Sequence, residues 1–132
     1  MNEASIPYEV AVALLEDSGV ARAVSEAGRL LEKYRDIVKE EIFERRFKAV
    51  YIVEGGNVTV INLEGANLTI KRAPLLEVLE GYQPFNEGEK YGRDDVWIVN
   101  GERIRSGRLP GEVKDFLEWL IQRVSQLGLS GD

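Results

Sequence analysis

The 132-residue chain contains neither histidine nor cysteine, so its capacity for chemistry rests on carboxylates, amines, guanidinium groups and phenols. Without imidazole there is no Ser-His-Asp or Cys-His machinery and no histidine-ligated metal. Without thiols there are no disulfides, thiolate nucleophiles, sulfur-ligated zinc or iron–sulfur clusters. The densest carboxylates outside the helical segments are Glu87, Glu89, Asp94 and Asp95. Hard cations such as Ca²⁺ and Mg²⁺ prefer carboxylate oxygens, which makes these residues the candidate metal site of a small hydrolase or nuclease dependent on carboxylates and a divalent cation. Their spacing matches no EF-hand. Glu112-Val113-Lys114 has the Glu-x-Lys form of some metal nucleases, without the strand-borne Asp such a site requires. No residue is assigned a catalytic role. No cofactor is implied either, because neither Gly-x-x-x-x-Gly-Lys-Ser/Thr nor Gly-x-Gly-x-x-Gly occurs.

A second group is basic. Arg103, Arg105 and Arg108 follow Asn100-Gly101, and Lys71 and Arg72 end an earlier strand-like run. Arg103 and Arg105 share a face on a strand, so the cluster is a candidate site for a phosphate, an RNA or an acidic partner. The plainer reading is that charges on an outer strand block edge-to-edge pairing. A third group is aromatic: Tyr82, Phe85 and Tyr91 stand in or beside a breaker-rich stretch, and Trp119 falls off the apolar stripe of the last helix. Exposed aromatics anchor protein partners, although loop aromatics also fold back to close the rim of a core. Residues 8–34 admit a helix-turn-helix reading with Arg22 and Arg29 toward a groove. The acids of that segment outnumber its bases, however, and the net charge of −6 opposes phosphate neutralisation. Nucleic acid is therefore not an expected partner.

The elements that would position these groups follow from periodicity. Ser5, placed as an N-cap before Ile6-Pro7, and the breaker-free run from Tyr8 to Asp17 predict a short first helix. From Val20 to Phe47 the apolar residues Val24, Ala27, Leu31, Tyr34 and Val38 recur at three- and four-residue steps, widened by Leu30, Ile37 and Ile42. That pattern predicts one long amphipathic helix whose opposite face, with Glu41 spaced to Arg45 and Glu44 to Lys48, is solvated. The period then changes to two. Runs at 49–53, 58–63 and 68–71, separated by Glu54-Gly55-Gly56-Asn57 and Glu64-Gly65-Ala66-Asn67, predict a three-stranded antiparallel meander. Ala73-Pro74 opens a short helix stopped by Gly81, and residues 82–95 form a long loop. Val96–Val99, Asn100-Gly101 and Glu102–Arg105 make a type I′ hairpin with a central first strand and an outer second one. A C-terminal helix carrying Val113, Phe116, Leu117, Leu120, Ile121, Val124 and Leu127 on one face packs on the sheet.

The expectation is thus a single α+β domain over residues 1–132, with a helical part at 1–47, a sheet part at 48–127 and a flexible tail at 128–132. The order of elements over 48–127 resembles in topology that of class I type III secretion chaperones, which are dimers that hold extended segments of client proteins; those chaperones begin with one short helix where this chain has about forty helical residues. Strands apolar on both faces need covering twice, by helices or by a second copy. The function expected is a non-catalytic protein–protein interaction or chaperone/adaptor-like module, homodimeric, binding a protein or peptide partner. The alternatives are the metal-dependent hydrolase above and RNA binding through the basic hairpin. No apolar run approaches the roughly 20 residues needed to span a bilayer and no secretory leader is apparent, so the expected location is the cytoplasm. The richness in Glu, Arg and Lys fits a heat-adapted protein.

Overall fold

In a computed structural model, which describes residues 3–24, 27–44, 47–82, 95–105 and 113–126, the elements run β1 (Glu3–Pro7), α1 (Tyr8–Glu16), α2 (Ser18–Val24), α3 (Gly28–Lys33), α4 (Arg35–Glu44), β2 (Ala49–Glu54), β3 (Asn57–Glu64), β4 (Asn67–Pro74), α5 (Leu75–Gly81), β5 (Val96–Val99), β6 (Glu102–Arg105) and α6 (Val113–Gln126). The two-residue turns do what their residues allow. Gly55 and Gly56 take φ of 65° and 84°, and Asn100 and Gly101 take 52° and 84°. Positive φ at both central positions is the type I′ requirement, whose twist matches that of the strands it joins.

The strands form one six-stranded sheet in the order β1-β4-β3-β2-β5-β6. All neighbours are antiparallel except β2 and β5, which run parallel with Tyr51 opposite Trp97. Parallel neighbours need a crossover; here β3, β4 and α5 all lie in the connection. Register aligns Lys71, Val60, Tyr51, Trp97 and Ile104 in a single row across five strands.

Alternation along the strands separates two cores. Val50, Ile52, Ile61, Leu68, Ile70, Val96 and Ile98 pack against Ala11 and Leu15 of α1, Leu30 and Leu31 of α3, and Val38 and Ile42 of α4. On the opposite face Tyr51, Val53, Val58, Val60, Trp97 and Val99 meet Leu75 of α5 and Leu120 and Val124 of α6. The sheet is the middle of three layers, and β2 and β5 are buried along almost their whole length. No helix among the described residues is long and apolar enough to cross a membrane.

The α+β class, the meander, the short helix, the hairpin and the final helix stand as the periodicity predicts. Four details differ. Ser5 does not cap a helix; it lies in β1 opposite Thr69, and the helix N-cap is Pro7, extended at φ −60° and ψ 146°. The long helix is divided into α2, α3 and α4. A Cβ on Gly28 would overlap the carbonyl of Ala21, with the carbonyl carbon 2.7 Å away, so α2 and α3 touch through backbone there. Tyr34 then leaves helical geometry at φ −108° and ψ 28°. Glu41 is not on a solvated face but fully buried, and Ile121 is not in the α6 seam but about half exposed, at 46%. Leu127 and the 128–132 tail lie outside the described residues.

Candidate functional site

Two sheet residues, Tyr51 and Trp97, and Tyr82 at the C-cap of α5 build the aromatic centre of the α5–α6 face. Tyr51 and Trp97, neighbours on the parallel strands, stack with ring centroids 4.2 Å apart and planes within 9°. Tyr82, at the C-terminal end of α5, meets Tyr51 edge-on at 5.5 Å and Trp97 edge-on at 5.4 Å. Its hydroxyl donates a 2.8 Å hydrogen bond to Oδ2 of Asp95, a carboxylate with no exposed surface. This bond ties together the two residues that flank positions 83–94. The sequence places Tyr82 among candidate partner-binding aromatics and Asp95 among candidate metal ligands; the structure brings both into one buried hydrogen-bonded pair.

Among the described residues, the sheet beside Tyr82 is not fully covered. A cleft of about 370 Å³ is lined by Tyr51, Val60, Asn62, Lys71, Ala73, Glu77, Val78, Gly81 and Tyr82. Its floor is the β2-β3-β4 surface, where alternation places Val60 and Asn62, and Lys71 and Ala73, on the same side. Its wall is α5, which contributes Glu77 from its first turn and Val78. Asn62 pairs in register with Thr69, so Lys71 is its diagonal neighbour, within reach for long side chains. Among the described residues, the side chains of Asn62, Lys71 and Glu77 make no hydrogen bond or ion pair with the protein. One ammonium, one carboxylate and one carboxamide therefore converge on a partly apolar cleft with their bonding capacity unused.

The basic hairpin is arranged differently. Glu41 of α4 has no exposed side-chain surface, and its Oε2 accepts hydrogen bonds from Arg105 and, at 3.1 Å, from Arg103. Arg103 is also bound by Glu40. The Glu40 carboxylate holds the Arg103 guanidinium above its ordinary pKa against the opposing effect of burial, with Glu41 adding to the rise. Arg103 and Arg105 are thus internal partners of α4, which ties the outer strand to the helical layer. Trp119 is 38% exposed with the Arg123 guanidinium 5.4 Å from its ring centre, and Arg123 in turn pairs with Glu102 of β6.

Phe85, Tyr91, Glu87, Glu89, Asp94 and Arg108 lie outside the described residues. Among the described residues no group of three or more Asp or Glu side chains is placed to hold a metal ion. Periodicity singled out Lys71 only for its charge and passed over Asn62 and Glu77. The available signal was polar residues at inward positions of strands whose same-face neighbours, Val60 and Ala73, are apolar.

Compared with protein-family models, curated proteins and solved structures, the chain matches none. The likeness to secretion chaperones consequently rests on element order alone.

Proposed function

We propose that the chain is a non-catalytic binding module whose recognition site is the cleft between α5 and the β2-β3-β4 surface, and whose occupant is a short peptide-like ligand. The observation that carries this reading is the set of three polar side chains, Asn62, Lys71 and Glu77, that face the cleft without protein partners. Binding sites are mostly apolar concavities of roughly 300–1,000 Å³ with a few convergent polar groups that fix orientation, and the cleft's 370 Å³ falls in that range. The tyrosines support it further: they are rigid, amphipathic contact surfaces that lose little entropy on binding. Homodimerisation draws less support, because both apolar sheet faces are covered by the chain's own helices. RNA binding through the hairpin draws less as well, since Arg103 and Arg105 are engaged by Glu40 and Glu41.

The test is amide chemical-shift mapping while a library of di- and tripeptides is titrated in. Shifts should cluster at residues 60–62, 71–73 and 77–82, and Val60→Phe, which fills the floor, should abolish them while the fold persists. Saturable shifts confined to β6 or α6 would overturn the assignment of the cleft.

A further inference from the structure

We infer that the ligand of this cleft is a zwitterionic dipeptide with an apolar side chain, recognised by both of its charged ends at once. The inference rests on the cleft being the binding site, and adds which chemistry it selects.

The argument is one of matching inventories. A free dipeptide carries a carboxylate, an ammonium and one peptide group, and it needs an anion acceptor, a cation acceptor and a group able both to donate and to accept. The cleft offers Lys71, Glu77 and Asn62, one of each. Their placement suits the order of groups along such a ligand. Lys71 and Asn62 are diagonal neighbours on adjacent strands, so a terminal carboxylate and the adjoining peptide group fall to the sheet side. Glu77 stands on α5, the other wall, and takes the ammonium. Between them Val60, Ala73 and Val78 with the rings of Tyr51 and Tyr82 give apolar contact, which suits one aliphatic or aromatic side chain. The cleft volume of about 370 Å³ limits how much chain can enter.

Charge contributes to selectivity by exclusion as well as attraction. A ligand lacking its carboxylate would bring an uncharged end against the half-buried Lys71 ammonium and displace its water for a weaker hydrogen bond. One lacking its ammonium would forgo the ion pair with Glu77, which is exposed. Sites built to pair desolvated polar groups reject analogues that leave them unpaired, so the stronger discrimination falls at Lys71.

The experiment is isothermal titration and amide chemical-shift mapping of the full chain with the dipeptide Ala-Phe, its N-acetyl derivative and its C-terminal amide, alongside the Lys71→Gln and Glu77→Gln variants. The free dipeptide should bind at least about tenfold tighter than either blocked form, equivalent to about 1.4 kcal/mol. Lys71→Gln should erase discrimination against the amide but keep that against the acetyl form, and Glu77→Gln should do the reverse. Thermal unfolding of both variants shows whether they remain folded, and the two blocked ligands on the unaltered protein test the idea without any substitution. If blocked and free dipeptides bind equally and shift cleft residues, zwitterion selection is overturned while the cleft stands. If none of the three shifts a cleft residue, both readings fall.

Discussion

At the scale of single residues, burial decides which charges matter. Glu41 has no exposed side-chain surface, whereas Arg105 keeps 25% and Arg103 35% of theirs. Stranding the carboxylate therefore leaves a charge with no access to water, while stranding the arginines leaves charges that still reach it and, for Arg103, still meet Glu40. The Arg103→Met/Arg105→Met double variant should lose about 3–5 kcal/mol of stability, and Glu41→Met only about 1 kcal/mol, because uncompensated buried charge is the expensive species. Urea unfolding of both variants measures this; equal losses would show that the pair acts as an exposed one. Glu54 gives a pH-dependent case. Burial alone would raise its carboxyl, but hydrogen bonds from Lys33 and Arg29 outweigh burial and hold it below its ordinary value. The Lys33 ammonium is correspondingly raised, chiefly by its hydrogen bond to Glu54. A carboxyl lowered in the folded state stabilises above its unfolded pKa of about 4.3, and that increment is lost as pH falls through the folded value. The melting temperatures of wild type and Glu54→Gln should accordingly converge as pH drops from about 6 to about 3. The partners are more than half exposed, so the difference at neutral pH should be small.

At the scale of elements, Gly28 is where local preference and packing part company. The apolar stripe from Ala27 to Ile42 is real: Ala27, Leu30, Leu31, Val38 and Ile42 are all buried in one core. A stripe records which face is buried but not whether the axis is straight, and the contact of α2 with α3 at Gly28 breaks it. Gly28→Ala should lower stability by about 1–3 kcal/mol, the usual result of forcing atoms into a filled space, although alanine is the better helix former. An increase in thermal stability would mean that the two helices separate freely. The meander, hairpin and last helix were legible because their signals are local: paired glycines or Asn-Gly between alternating runs, and a continuous amphipathic stretch. β1 was not, since its five residues end in proline and owe their conformation to β4, far along the chain. The cleft was partly legible. Tyr82 stood out as an aromatic near a loop and Lys71 as a charge, but joining them to Asn62 and Glu77 depends on which strand face α5 covers, and no spacing encodes that. The role of Glu41 was hidden for the same reason, because its arginines come from a strand about sixty residues away.

At the scale of the whole molecule, three layers arise from one sheet that is apolar on both sides. Its outer strands are guarded by different means. β6 carries charges bound by α4 and α6, while β1 is a short strand that ends at Pro7; short strands, proline and charge are the recognised defences of an open edge. Deleting residues 1–7 should leave the central meander folded, by circular dichroism, yet make the protein associate with rising concentration in light scattering, because β4 then presents a bare row of backbone donors and acceptors. A deletion variant whose association state matches that of the full chain would show that β4 is protected in another way.

The pairing of Glu3 with Lys71 also sets a timetable. During synthesis β1 is made well before any residue of β4 exists, so the first strand must wait without a partner while the meander assembles behind it. Closing so long a loop is slow relative to forming hairpins, so β1 joins only after the β2-β3-β4 meander has formed. Until it docks, the growing chain carries two matching open edges, one on β4 and one on β1 itself, and crowding of nascent copies on one messenger offers each edge a neighbour's strand in place of its own.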